Sequence, residues 1–301
     1  MNKSIQFGRR STADHVLAGI DLSGKRLVVT GCNTGLGVET MNAFAANGAT
    51  VIGLARTIEA ATRACAQASP LCVPVACDLA DLESVDAAAG AIRASAGFLD
   101  AIVTNAGVAN LDSLRTRYGV EMHFLINHVG HFALINGLTD LLRDETGRIV
   151  IVSGDAGIRH APSEGIMFDN LDGRRFYESS MFYGQSKLAN ALHAKELSRR
   201  LSNRGIVVNA ADPGRARTRM TNGFFARLLA KTPARASATQ AWLAASPQAA
   251  GISGCYWLDG KIIQGSPLLA DTVLARRLWD VSEEIAARRA ARREPSLQQA
   301  A

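Results

Sequence analysis

An apolar run, Arg26 to Thr30 (RLVVT), leads straight into Thr30-Gly31-Cys32-Asn33-Thr34-Gly35-Leu36-Gly37, and a helix-forming stretch, Leu36 to Asn47, comes next. This junction constrains the fold more than any other feature of the chain. Gly31, Gly35 and Gly37 remove Cβ atoms where the backbone must turn sharply, so that N–H groups can approach a ligand phosphate. The helix that begins there presents its positive end to the same phosphate. Strand before, glycines between and helix after make the first βα turn of a dinucleotide site. The rival reading is a tight turn of structural use only.

The rest of the chain alternates in the same way. Thr50–Leu54, Cys72–Ala76, Ala101–Thr104, Arg148–Val152, Gly205–Ala211 and a last run, Cys255–Leu258, read as strands. Ile58–Ala68, Leu82–Ser95, a long stretch from Gly119 to Arg143, and Phe182–Arg200 read as helices. Fully apolar strands alternating with helices predict a parallel sheet covered on both faces, in one doubly wound α/β domain. At 301 residues, 48% hydrophobic and 20% charged, the chain can bury a sizeable core, which excludes disorder for its bulk. The expected division is an N-terminal arm (1–20), the domain (21–285) and a basic tail (286–301). Two segments break the alternation. Asp155–Met181 has no strong period, and Asp212–Ala236 carries Met220, Phe224, Phe225, Leu228 and Leu229, as a lid over a pocket would.

Charge and cysteines carry less. Lys and Arg outnumber Asp and Glu by 33 to 27, for a formal charge of +6. The one obvious basic cluster, Arg288, Arg289, Arg292 and Arg293, reads as a solvated helix end rather than a nucleic-acid arm. Five cysteines with no CxxC argue against a disulfide framework or a zinc site and fit a reducing cytoplasm. His128 and His131, three apart on the long helix, read as packing residues, so no metal is expected; His15 and His160 read as loop residues. No apolar run approaches a membrane span, and Lys3, Arg9 and Arg10 are followed by no apolar block of a secretory signal.

The cofactor and its chemistry rest on a few side chains. The second strand ends Gly53-Leu54-Ala55-Arg56, without the carboxylate that would bond a ribose 2′-hydroxyl. Arg56 instead offers a guanidinium that can grip a 2′-phosphate, which favours NADP(H) over NAD(H). Asp78, in Cys77-Asp78-Leu79 after the third strand, is placed either to bond the adenine amino group or to cap the helix before Leu82. Tyr183 and Lys187 stand four apart, on one face of a helix. A fixed ammonium lowers the pKa of a neighbouring phenol, and such a pair can serve as general acid/base for an alcohol or carbonyl.

These features, with Asn105-Ala106-Gly107 after the fourth strand and Asp212-Pro213-Gly214, resemble the short-chain dehydrogenase/reductase family, in its order. Ile20-Asp21-Leu22-Ser23-Gly24-Lys25, Asn127-His128-Val129-Gly130-His131-Phe132, Ser186-Lys187-Leu188-Ala189-Asn190 and Ala275-Arg276-Arg277-Leu278-Trp279 resemble its retinol-dehydrogenase-like branch. The likeness runs from Ser11 to Ile285. It implies a Rossmann domain and a set of roles. Tyr183 would transfer the proton, Lys187 would lower its pKa and bond the nicotinamide ribose, and Asn127 would hold a water linking Lys187 to solvent. Asn33, Thr34 and Leu36 would join the glycines at the cofactor. Asn105, Ala106 and Gly107 would line the adenosine side, and Pro213, Gly214 and Thr218 the nicotinamide end. It also implies a homodimer or homotetramer, although the apolar face Leu274, Leu278, Val281, Ile285 is expected to dock on its own domain.

One departure stands out. The family's strand commonly ends with a catalytic serine that bonds the substrate oxygen; here Gly154 occupies that column and Ser153 precedes it. Side chains alternate along a strand, so Ser153 would face away unless a bulge at Gly154 turns it back; with that bulge, Ser153 is expected to fill the role. Ile158, Met167, Met220, Phe224, Phe225 and Leu229 are expected to wall the pocket, which favours a lipophilic alcohol and its ketone or aldehyde. Arg215, Arg217 and Arg219 leave an acidic substrate open. A C=C reductase and a non-catalytic dinucleotide sensor are the alternatives; the Tyr183–Lys187 pair argues against the sensor, which needs no proton donor.

Overall fold

A computed structural model describes residues 7–216 and 230–291. Its elements are α1 (Ala13–Leu17), β1 (Arg26–Thr30), α2 (Gly35–Ala46), β2 (Thr50–Ala55), α3 (Ile58–Ala68), β3 (Cys72–Ala76), α4 (Leu82–Ala96), β4 (Ala101–Thr104) and a small hairpin, β5 (Thr116–Arg117) with β6 (Val120–Glu121). Next come α5 (Met122–Phe124), a π-helical turn (Leu125–Val129), α6 (Gly130–Leu138), β7 (Arg148–Val152), α7 (Asp155–Ile158), α8 (Ser179–Arg200) and β8 (Val207–Asp212). The described residues end with α9 (Pro233–Ala236), α10 (Ala238–Ala245), β9 (Tyr256–Leu258), β10 (Lys261–Ile262) and α11 (Thr272–Ala291).

The main sheet has the order β10-β9-β8-β7-β4-β1-β2-β3. Every pairing from β9 to β3 is parallel, and β10 returns antiparallel on β9. β1, β4, β7 and β8 are buried almost throughout, as strands covered on both faces must be. One core lies under α4, α6, α8 and α11 and holds Phe124, Phe132, Leu192 and Trp279; the other lies under α1, α2 and α10 around Met41, Phe44 and Trp242. Chain order reverses between β1 and β4, so a crevice opens outside their carboxyl ends, the place where open α/β sheets bind ligands.

Several expectations need correction. The strand at 255–258 is not the last; the β9–β10 hairpin adds an antiparallel edge. The long helix does not begin at Gly119. The β5–β6 hairpin intervenes, the helix starts at Met122, and a π-turn interrupts it at Asn127. Within the arm set at 1–20, the described part holds α1, whose Ala13, Val16 and Leu17 are buried against the second core; His15 lies in α1, not in a loop. α11 continues to Ala291, past the boundary at 285, and Arg288 donates to the Tyr118 carbonyl at 2.7 Å. Its apolar face docks on its own domain, with Leu278 and Ile285 in the first core and Leu274 and Val281 against it. Arg292 and Arg293 fall outside the described residues, as do Arg217, Thr218, Arg219, Met220, Phe224, Phe225, Leu228 and Leu229. Among the described residues no helix is long and apolar enough to cross a membrane.

Candidate active site

The glycine turn is a cradle that side chains would fill. A Cβ on Gly37 would lie 2.1 Å from the Gly31 carbonyl oxygen, and one on Gly31 would lie 3.0 Å from Ala106 Cα. Gly31 and Gly35 have φ of +70° and +58°, a region that favours glycine. Thr34 stands at the N-cap of α2, yet its side chain makes no capping bond, so the first N–H groups of the helix are left for an anion. Leu36 is buried beneath the turn and Asn33 is exposed at its rim.

Neighbouring strands lock the turn in place. Thr30 Oγ1 accepts from the N–H groups of Asn105 and Ala106 at 2.9 and 3.0 Å, and Asn105 Nδ2 donates to the Thr30 carbonyl. With both acceptor positions filled, Thr30 gives its own proton to His131 Nε2 at 2.9 Å. His131 is then the Nδ1–H tautomer and donates to the Asn127 carbonyl at 3.0 Å. Burial holds its pKa down at about 4. Gln240, from α10, donates to Thr40 Oγ1 of α2 and to Asn105 Oδ1. Sequence reasoning misses the roles of Thr30, His131 and Gln240 at this site; a threonine ending an apolar strand, a histidine within Asn127–Phe132 and a glutamine in an alanine-rich helix are the signals they leave.

Arg56 directly follows β2, is exposed and makes no ion pair among the described residues. Asp78 does not cap α4; Asp81 does, accepting from Glu83 N, while Asp78 accepts from Ala80 N within its own turn. Leu79 is buried behind it, against Gly130.

At the other end of the crevice stand Tyr183 and Lys187, one turn apart on α8. Lys187 Nζ lies 5.8 Å from the Tyr183 ring centre and 3.4 Å from the Val152 carbonyl oxygen. A Cβ on Gly107 would lie 3.7 Å from that nitrogen. A Cβ on Gly157 would meet Lys187 Cγ at 2.7 Å and Tyr183 Cε1 at 3.2 Å, so α7 rests on both side chains. The structure therefore brings the 105–107 segment, Asn127, Tyr183 and Lys187 together. Asn127 is fully buried. Its amide exchanges bonds with Val108 N and O at 2.8 and 3.0 Å and donates to Ser186 Oγ at 2.9 Å. Those contacts are a strut's: they tie the 105–108 segment to α8 and leave the amide no proton for a water.

Two features of this end bear on the expected roles. The first concerns Ser153. Its Oγ donates to the Lys187 carbonyl at 2.7 Å and is buried against α8, with Gly154 beside it at φ +159°. The second concerns the phenol. Burial, followed by the Asp212 carboxylate, pushes the Tyr183 pKa up to about 12. Burial pulls Lys187 down to about 8, and Asp212 opposes that fall. The ammonium lies over the ring face and bonds a carbonyl, so in this geometry it does not outweigh desolvation of the phenolate.

Asp212, expected only as part of Asp212-Pro213-Gly214, proves central. It ends a strand buried over its whole length and is 2% exposed. Oδ1 accepts from Gly214 N at 2.7 Å; Oδ2 accepts from Asp155 N at 2.8 Å and from the Tyr256 hydroxyl at 3.2 Å. A cavity of about 380 Å³ opens in front of it, lined also by Asp155, Arg159, His160, Gly214 and Arg215. Asp155 and Arg159 pair with each other. This part of the wall is charged, and Ile158, expected to line it, is buried in the first core instead. Met167 is half-buried and donates its N–H to Gln185 Oε1.

A family model for short chain dehydrogenases matches residues 25–166. Human (Homo sapiens) retinol dehydrogenase 14 is 35% identical over 293 residues, covering 87% of this chain and 86% of its own. The chain belongs to the short-chain dehydrogenase/reductase family, in its retinol-dehydrogenase-like branch. A solved protein from Mycobacterium Paratuberculosis superposes with a TM-score of 0.74 at 30% identity, covering 91% of this chain and 97% of that one. A short chain dehydrogenase from Burkholderia cenocepacia, crystallised with NADP, superposes at 0.65 with 26% identity, over 79% of this chain and 98% of that one. As a short-chain dehydrogenase/reductase, the chain is an oxidoreductase of a family that works with nicotinamide dinucleotides on alcohol and carbonyl groups. The glycine cradle and uncapped start of α2 fit such a ligand.

Proposed function

We propose that this protein is an NADP(H)-dependent oxidoreductase that interconverts a lipophilic alcohol and its ketone or aldehyde, with Tyr183 as general acid/base. The observation that carries the reading is the convergence of Tyr183 and Lys187 on the 105–107 segment, at the open end of the crevice that begins at the glycine cradle. Gly31, Asn33, Thr34, Gly35, Leu36 and Gly37 would hold the pyrophosphate. Asp78, Leu79, Asn105, Ala106 and Gly107 would border the adenosine, and Pro213 and Gly214 the nicotinamide end. Arg56 would pair with a 2′-phosphate. The dinucleotide supplies or accepts the hydride.

The side chains manage the proton. Tyr183 keeps its proton at neutral pH and gives it to the oxygen of a carbonyl as that oxygen gains negative charge. Lys187, charged below about pH 8, supports the transient phenolate and bonds the ribose. Ser153 braces the carbonyl of Lys187, and Asn127 braces the 105–108 segment; both are positioning residues. The lipophilic preference rests on Met220, Phe224, Phe225 and Leu229 in the sequence.

The inward turn of Ser153 and the bare Gly154 favour a second reading: reduction of a C=C bond conjugated to a carbonyl, in which Tyr183 protonates carbon or enolate. Consumption of NADPH against matched panels of apolar ketones and enones separates the two. Ketone turnover that Tyr183→Phe abolishes supports the first; enone turnover alone overturns it. Equal rates in both proteins would remove Tyr183 from the chemistry. Arg56→Ala is expected to lower the preference for NADPH over NADH by about tenfold, and an unchanged ratio would separate Arg56 from the cofactor.

A further inference from the structure

Asp212 carries a buried charge that the acid–base reading does not use. Each of its oxygens accepts from a backbone N–H, Gly214 N on Oδ1 and Asp155 N on Oδ2, and the Tyr256 hydroxyl lies 3.2 Å from Oδ2. The two backbone N–H groups can only donate, which favours the ionised carboxylate. Burial raises its pKa, and the two backbone donors oppose that rise.

A charge in such a place needs a partner. Among the described residues no cation touches it. Arg159 is paired with Asp155, and Lys231 with Asp259 and the Pro213 carbonyl. Lys187 bonds the Val152 carbonyl and feels Asp212 only through space. The carboxylate instead borders the 380 Å³ cavity and stands immediately before Pro213-Gly214. Gly214 is held at φ +68° by its own bond to Oδ1, and a Cβ there would strike Lys231 Nζ at 2.8 Å. The turn is thus built around the carboxylate, whose charge acts through space on both Tyr183 and Lys187.

We propose that Asp212 is the charge partner of the nicotinamide end of the cofactor, so that the protein holds the oxidised dinucleotide more tightly than the reduced one. The inference rests on the reading that a nicotinamide dinucleotide binds with its ring beside Tyr183. The oxidised ring carries one positive charge that the reduced ring lacks. A buried carboxylate facing that charge stabilises the oxidised form selectively, because attraction is strong where water is excluded. The consequence is direction: the bound pair is biased toward giving up hydride, that is, toward reduction of a carbonyl or alkene. Asp212 sets this bias without handling the transferred proton.

Equilibrium dissociation constants for NADP+ and NADPH, and for NAD+ and NADH, test this on the unaltered protein and on Asp212→Asn. In the variant the oxidised form is expected to weaken on the order of tenfold while the reduced form stays within about threefold. The ratio of the two constants does not depend on how much protein is folded. Tyr256→Phe removes one donor but keeps the charge, and its ratio is expected to match that of the unaltered protein. Equal weakening of both forms in Asp212→Asn, no weakening, or the same ratio change in Tyr256→Phe overturns the charge role and leaves the acid–base reading standing. Failure of the unaltered protein to bind any of the four dinucleotides overturns both.

Discussion

The two ends of the crevice are made of different material. Around Gly31–Gly37 and Asn105–Gly107 the site is backbone: carbonyls, N–H groups and missing Cβ atoms, held by Thr30 and Gln240. Around Tyr183, Lys187 and Asp212 it is ionisable side chains, two of them almost fully buried. The first end is intolerant of added atoms and meets its ligand's charge chiefly with main-chain N–H groups. The second has room in front of it and is sensitive to every unit of charge. Recognition of a constant ligand can be written into the main chain, whereas chemistry needs groups whose protons move.

That contrast can be broken at several points. Tyr183→Phe leaves the packing nearly intact and should cut turnover by about a thousandfold with little change in melting temperature; steady-state rates beside thermal melts decide it, and a folded variant with full activity would end the acid–base assignment. Gly37→Ala should act oppositely. Its methyl would collide with the Gly31 carbonyl, so dinucleotide affinity should fall by about a hundredfold and stability by about 2 kcal/mol, read by titration and denaturant melts.

Acid should find two buried imidazoles, His131 under the glycine cradle and His128 against Ser282 of α11. Burial holds His128 at about 3 and His131 at about 4. The unfolded chain takes up their protons near pH 6.5 and the folded chain does not, so their contribution is intact above pH 6.5. It is lost as pH falls toward 4, at about 3 kcal/mol per pH unit for two protons. Denaturant midpoints measured from pH 7 to 4 check this, and a flat profile would mean that the imidazoles charge while folded. The smallest expected effect is that of Ser153→Ala. Loss of one buried bond to the Lys187 carbonyl should cost about 1 kcal/mol and change rates less than about threefold. A drop of a hundredfold or more would restore Ser153 to the reacting oxygen.

Much of this arrangement is legible in the residues. β1, β3, β4, β7 and α3 fall where apolar runs and turn residues put them, because strands buried on both faces leave an uninterrupted apolar signal. The stretch from Gly119 to Arg143 misleads for a physical reason. Val120 and Glu121 pair with a short strand whose apolar content is too small to read, and one extra residue in the π-turn leaves no mark on a periodicity that stays apolar all round. Ser153 depends on a backbone angle at Gly154 that glycine leaves open. Asp212 has a signal that is easily passed over: a carboxylate closing the six-residue run Val207–Asp212, in which every residue is buried. A charge in that position demands donors, and the structure supplies three.

The π-turn at Leu125–Val129 has a consequence of its own. Its extra residue sets the angular phase between the helix before Asn127 and the helix after it, so Asn127 can reach Val108 and Ser186 while His131 reaches Thr30. Removing a single residue there would swing every later side chain of α6 by roughly a hundred degrees, carrying the imidazole off the threonine that anchors the glycine cradle. Length along this helix is therefore a coded quantity: related chains can exchange side chains at these positions, but insertions and deletions between Met122 and His131 should be purged.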